Sequence, residues 1–171
     1  FPPVPPIAGV SYDFAANAGS AVWSSGAGNL TFPGADGDAK GFAIKFDSIQ
    51  LETGVTETRP SLLTVPQNKT DGYIQALYPA FDVKSGDRFQ ATIGCQYGAT
   101  ACYVTYRLDY RTSAGTKTLW TFKERYEKQT YNVNISLSSL AGLKAEFFLM
   151  ILATGSATGD RAVWVAPRIV R

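Results

Sequence analysis

The stretch "CYVTYRLDYRTSAGTKTLWTFKERY", Cys102 to Tyr126, decides the fold class. In its first half Val104, Tyr106, Leu108 and Tyr110 alternate with Thr105, Arg107, Asp109 and Arg111. That period of two places apolar and polar side chains on opposite faces of a strand. After the turn signal "TSAGTK" the alternation resumes, with Trp120 and Phe122 opposed to Thr121, Lys123 and Arg125. The two runs predict a hairpin with one apolar face and one polar, basic face.

The same texture extends in both directions. Short apolar runs separated by Gly- and Pro-containing turns predict strands at "VSYDF", "AVWSS", "NLTF", "FAIKFDSIQLE", "SLLTVP", "GYIQALYP" and "RFQATIGC" before the hairpin. "YNVNISL", "AEFFLMILA" and "RAVWVAPRIV" follow it. In "YNVNISL", Tyr131, Val133, Ile135 and Leu137 face inward and Asn132, Asn134 and Ser136 outward; Trp120 and Trp164 are expected in the core. Helical periodicity is absent apart from one short turn within Leu137 to Leu143. The prediction is an all-β, two-sheet antiparallel sandwich with jelly-roll connections.

With 171 residues, 45% apolar and 18% charged, the chain suits one domain, residues 10–171. Residues 1–9, "FPPVPPIAG", form a proline-rich linker or arm. The beginning of the chain carries no charged-then-apolar leader, which leads us to expect a processed or trimmed product. "FFLMILA", Phe147 to Ala153, is far short of the roughly 20 residues of a membrane span and reads as a buried strand, so no membrane insertion is expected. The net charge of +2 gives no nucleic-acid footprint. Arg107, Arg111, Lys117, Lys123, Arg125 and Lys128 nevertheless gather between Tyr103 and Lys128 against only Asp109, Glu124 and Glu127.

Two cysteines and no histidine exclude the familiar zinc sets, and the tight C-x-x-C redox spacing is absent. A disulfide between Cys95 and Cys102 across the loop "QYGATA" fits better, and it points to an oxidising, extracellular compartment. Without histidine there is no Ser-His-Asp or Cys-His system. Carboxylates remain for a small glycoside hydrolase as a lesser alternative: Glu52, Glu57, Glu124, Glu127 and Glu146. Glu124 and Glu127, among Lys123, Arg125 and Lys128, read as a solvated charged edge. The loop "GADGDAK" offers Asp36 and Asp38 to a structural Ca²⁺, with plain Asp-Gly turns as the other reading. N-x-[ST] sequons stand at Asn29, Asn68 and Asn134.

In the C-terminal half, "GDRFQATIGC", "CYVTYRLDY", "YNVNISLSSLAGLKAEFFLMILATG" and "GDRAVWVAPRIV" follow one another in a recognisable cadence. Phe89, Ala91, Ile93, Gly94, Leu137, Leu140, Gly142, Asp160, Ala162, Trp164, Pro167 and Ile169 carry it. This half resembles the closing strands of galactose-binding-like β-sandwich modules, in particular the NPCBM type attached to glycoside hydrolases. The resemblance implies a non-catalytic, extracellular carbohydrate-binding module of a larger secreted or surface protein, with covalently linked neighbouring domains and a polysaccharide or glycan partner.

Sugars are held by aromatic faces and by polar side chains that read hydroxyls. The expected binding residues are Trp23, Tyr78, Gln96 and Tyr97 at loop ends, with the basic face of Arg107, Arg111, Lys123 and Arg125 as a second surface for uronic or sulfated glycans. The competing reading is a structural or assembly domain, an adhesin, surface-layer or filament subunit that self-assembles through residues 1–9.

Overall fold

The computed structural model describes residues 9–171. The proline-rich arm falls on residues 1–9, and so lies almost wholly outside the described residues. Fifteen strands follow in chain order: β1 (Val10–Asp13), β2 (Val22–Ser25), β3 (Gly28–Leu30), β4 (Phe42–Phe46), β5 (Ile49–Gln50), β6 (Thr56–Glu57), β7 (Ser61–Val65), β8 (Tyr73–Leu77), β9 (Phe81–Asp82), β10 (Arg88–Cys95), β11 (Tyr103–Thr112), β12 (Gly115–Arg125), β13 (Tyr131–Ser136), β14 (Lys144–Ala153) and β15 (Ala162–Val170). The first sheet runs β13-β10-β15-β7-β4, with β1 on β15. The second runs β12-β11-β14-β8-β2-β3, with β9 on β14. All pairings are antiparallel, so the fold is the all-β, two-sheet sandwich that the alternation predicts.

The hairpin forms as expected. β11 and β12 pair from Tyr103↔Arg125 to Thr112↔Gly115, and Gly115 takes φ 116°, a conformation open to glycine that closes the turn. A bulge between Leu108 and Asp109 leaves Leu119 unpaired and keeps Trp120, Phe122 and Glu124 on the inner face. The run "FAIKFDSIQLE" does not stay one strand. It breaks after Phe46 into β4 and the small β5–β6 hairpin, which is a sheet of its own.

The break has a purpose in packing. Along β15, Ala162 and Trp164 face the main core while Val163 and Val165 join Phe42, Ile49, Leu51 and Leu63 in a second cluster on the outer side of the first sheet. The segment from Ile49 to Leu51 covers that side, so "SLLTV" and "AVWV" are apolar on both faces. Between the sheets lie Phe14, Tyr78, Phe89, Phe147 and Trp164, mostly in edge-to-face contact. The Tyr106 hydroxyl, reaching across from β11, sits 2.9 Å from Gly94 O and 3.0 Å from Val163 O and accepts the Val163 N–H at 3.1 Å. One side chain thus ties the two sheets together.

Pro167 stands inside β15, where its missing N–H is accommodated by a bulge. Ala166 takes φ 45° there, and pairing with β10 shifts register between Gln90 and Thr92. Beyond the bulge β15 pairs with β1 instead of β7.

Candidate binding groove at the open edge of the sandwich

The residues expected at loop ends separate into two groups. Trp23 is 2% exposed, stacks on Phe32 at 5.3 Å and donates its indole N–H to Ala18 O at 2.9 Å. Tyr78 is 1% exposed and donates its hydroxyl to Phe14 O at 2.9 Å. Both are corrected from ligand contacts to core residues, because a buried ring with its polar tip satisfied presents no face to a ligand. Gln96 and Tyr97 do lie on the loop between the cysteines, and Tyr97 is 56% exposed. The disulfide Cys95–Cys102 is formed.

That loop end is organised by Arg161, which sequence reasoning passed over. It donates to Gln96 Oε1 at 2.6 Å and clamps both oxygens of Asp36 at 2.8 and 3.0 Å. The guanidinium holds the Asp36 carboxyl below its ordinary pKa. Asp38 caps its own turn, accepting the Lys40 N–H at 2.9 Å. Asp36, named with Asp38 as a candidate calcium ligand, is thus paired with a guanidinium in this arrangement. The hollow beside them, about 180 Å³, is lined by Asp38, Phe42, Asn68, Asp160 and Arg161 among others. Buried Asp160 accepts the Tyr103 N–H, and burial pushes its pKa up to about 6.

Below the disulfide lies a pair of buried acids. Glu52 accepts the backbone N–H groups of Cys95 (2.6 Å), Glu127 (2.9 Å) and Gln129 (3.1 Å), so one carboxylate joins the β5–β6 segment to β10 and to the β12–β13 loop. Glu124 is 1% exposed with Oε2 2.9 Å from Cys95 Sγ, which corrects its reading as a solvated edge residue. Burial pushes its pKa to about 9, helped by the Glu52 carboxylate beside it. The disulfide sulfur has no proton to give, so the contact fits a protonated Glu124. Neither acid is accessible to a substrate, and Glu57 and Glu146 are held by Arg59 and Arg111.

The basic face of the second sheet is also less free than its sequence suggests. Arg107 pairs with Asp109 at 3.1 Å and Arg111 with Glu146 at 3.0 Å. Lys123 and Arg125 keep no carboxylate within ion-pair distance among the described residues, and Arg125 lies 4.7 Å over the Tyr103 ring.

A hollow lined by aromatic rings lies at the open edge, where β12 of the second sheet faces β13 of the first. A cavity of about 310 Å³ is lined by Ile93, Trp120, Phe122, Tyr131, Asn132, Val133, Asn134 and Ile135. Trp120, expected in the core, is only partly buried, because β12 is an edge strand with no neighbour to cover it. Its ring lies 6.2 Å from that of Phe122 with only 8° between their planes, and Tyr131 packs 4.8 Å from Phe122. The Tyr131 hydroxyl donates to Glu127, which with burial raises its pKa to about 12 and keeps it a neutral donor. The groove therefore offers two nearly parallel aromatic faces, and the polar side chains of Asn132 and Asn134 flank β13.

No family model matches the chain, and no curated protein matches it. Solved structures do. The C-terminal family 22 carbohydrate-binding module of Clostridium thermocellum Xyn10B superposes with TM-score 0.50 at 14% identity, over 97% of this chain and 96% of that one. TmCBM61 in complex with beta-1,4-galactotriose gives TM-score 0.50 at 8% identity, over 87% and 88%. The M60 catalytic domain with the CBM51-1 and CBM51-2 domains of Clostridium perfringens ZmpB gives 0.52 at 14%, over 77% of this chain and 13% of that one. The fold is that of β-sandwich carbohydrate-binding modules. The match covers 72% of this chain and 25% of the ZmpB chain that holds the CBM51-2 and INT domains.

Proposed function

We propose that this protein is a non-catalytic carbohydrate-binding module of a secreted or surface protein, and that it holds a glycan in the groove between β12 and β13. The observation that carries the reading is the partly exposed, nearly parallel pair of Trp120 and Phe122 with Tyr131 completing the wall. Pyranose rings present C–H faces that pack on aromatic rings such as those of Trp120 and Phe122. The fold shared with carbohydrate-binding modules and the disulfide support the same reading and its extracellular setting. Gln96, bonded to Arg161, and exposed Tyr97, both on the stapled loop, offer a secondary contact surface.

The test is affinity electrophoresis over a panel of neutral and acidic polysaccharides. Wild type is retarded by at least one, Trp120→Ala and Phe122→Ala lose the retardation, and Tyr97→Ala keeps most of it. Retardation that survives Trp120→Ala refutes the groove; no retardation on any polysaccharide refutes the function. Incubation with the bound glycan releases no shorter products.

A further inference from the structure

On the outer face of the first sheet, directly across β13 from the aromatic groove, is a second hollow of about 230 Å³ lined by Arg59, Gln90, Thr92, Asn132, Asn134 and Arg168, with Ala91 and Val133 at its floor. Its hydrogen bonds follow a one-sided pattern. Thr92 donates to Asn132 Oδ1 at 2.9 Å and accepts from Arg59 at 3.3 Å. Asn134 Oδ1 receives Arg88 Nε at 2.7 Å and Gln90 Nε2 at 3.4 Å, and Gln90 Oε1 receives Arg168 at 3.1 Å. Both oxygens of Glu57 are taken by Arg59. Each of these acceptors is thus already used within the protein.

The donors are not. A guanidinium carries five N–H groups and an amide two. Arg168 uses Nη1 on Ala166 O and Nη2 on Gln90, and Arg88 uses Nε alone. The side-chain amide nitrogens of Asn132 and Asn134 make no bond among the described residues. Charge points the same way. Glu57 offsets Arg59, whereas Arg88 and Arg168 have no carboxylate within ion-pair distance among the described residues. Asp13, paired in register with Arg168, is engaged with the Ala16 N–H. Burial and the nearby Arg59 charge weigh against the Arg168 cation and the Asp13 carboxylate offsets them only in part, a condition that a bound anion relieves. The β15 bulge holds Arg168 in place through its bond to Ala166 O.

A neutral sugar hydroxyl both gives and takes hydrogen bonds, whereas this wall offers more free N–H donors than free acceptor sites. A carboxylate or a sulfate only accepts, and guanidinium forks match either group. We propose that this hollow is a subsite for an anionic sugar unit, a uronate or a sulfated residue, of the same glycan whose less polar face lies on Trp120 and Phe122. The proposal rests on the carbohydrate reading and names the glycan class. Asn132, Val133 and Asn134 line both hollows, so a chain crossing β13 passes from one to the other.

The test uses matched pairs: uronate oligosaccharides with their carboxyl-reduced forms, and sulfated oligosaccharides with their desulfated forms, titrated calorimetrically at low salt. At least one acidic member binds about tenfold more tightly than its neutral partner. Arg168→Gln, which removes a cation that lines the hollow, brings that ratio toward one while leaving neutral binding unchanged; Arg88→Gln, beside the hollow through its bond to Asn134, lowers it by less; and the uronate and sulfate pairs tell which anion is preferred. The proposal is overturned if no pair differs, if the ratio persists in both variants, or if polyglutamate competes as well as the acidic glycan. Neutral binding without an acidic preference removes this subsite alone; no binding by any member removes the carbohydrate reading with it.

Discussion

Replacing Glu124 by Gln exchanges a buried acid for a neutral amide of the same shape and changes how stability depends on pH. The Glu124 pKa stands at about 9 in the fold against 4.5 for the ordinary side chain, with burial the largest cause and Glu52 the next. Below pH 4.5 the folded and unfolded chains both hold the proton, and the site contributes its full stability. Between 4.5 and 9 the unfolded chain releases the proton while the folded chain keeps it, so stability falls as pH rises; above 9 the loss is complete. Each pH unit within the window costs about 1.4 kcal/mol. The loss is therefore on the order of 3 kcal/mol by pH 7 and on the order of 6 kcal/mol by pH 9, the upper bound for a site into which no water enters. Glu124→Gln has no proton to hold and escapes this slope. The assay is guanidinium unfolding of both proteins from pH 4 to 10 without reductant, plotted as the difference in unfolding free energy. The variant gains on wild type steadily from pH 5 upward. Asp160, raised to about 6, titrates in both proteins and cancels in the difference. A flat difference curve between pH 5 and 9 would refute the buried, protonated state of Glu124.

Tyr106→Phe strips the one hydroxyl that meets Gly94 O, Val163 O and Val163 N across the sandwich, leaving buried backbone groups without a partner. Denaturant unfolding should show a loss of about 2 kcal/mol, with the far-ultraviolet β spectrum unchanged. Reducing the Cys95–Cys102 bond, which spans a sequence separation of 7, lowers stability by about 2.5 kcal/mol on chain-entropy grounds. Because the aromatic groove is built from β12 and β13 and not from the stapled loop, reduction leaves glycan affinity intact at temperatures where the domain stays folded. Parallel loss of affinity would relocate the site to Gln96 and Tyr97.

The strand pattern was largely legible in the residues. Period-two alternation is a local property, and twelve expected strands correspond to the observed ones apart from the split after Phe46 and the two-residue strands β6 and β9. Cys95 and Cys102, separated by a short loop between strands, had little choice but to meet. The candidate site was much less legible. Alternation already put Glu124 on the same side as Trp120 and Phe122, yet its charge and basic neighbours favoured a solvent reading. Only the disulfide and Glu52 packed above it show it to be covered.

The chain by itself determined which face each side chain takes, because that follows from backbone geometry residue by residue. Tertiary structure alone decided how deep that face lies. Trp23 and Trp120 sit in similar alternating strands, but Trp23 lies on β2, between β8 and β3, and stacks on Phe32, while Trp120 lies on the outermost strand of its sheet. Strand order depends on pairings between residues far apart in sequence, such as β10 with β15 and β11 with β14. Burial is a property of those neighbours, and so the aromatic groove emerges only once two edge strands, one from each sheet, come to face each other, and the arginine hollow only once β10, β13 and β15 lie side by side.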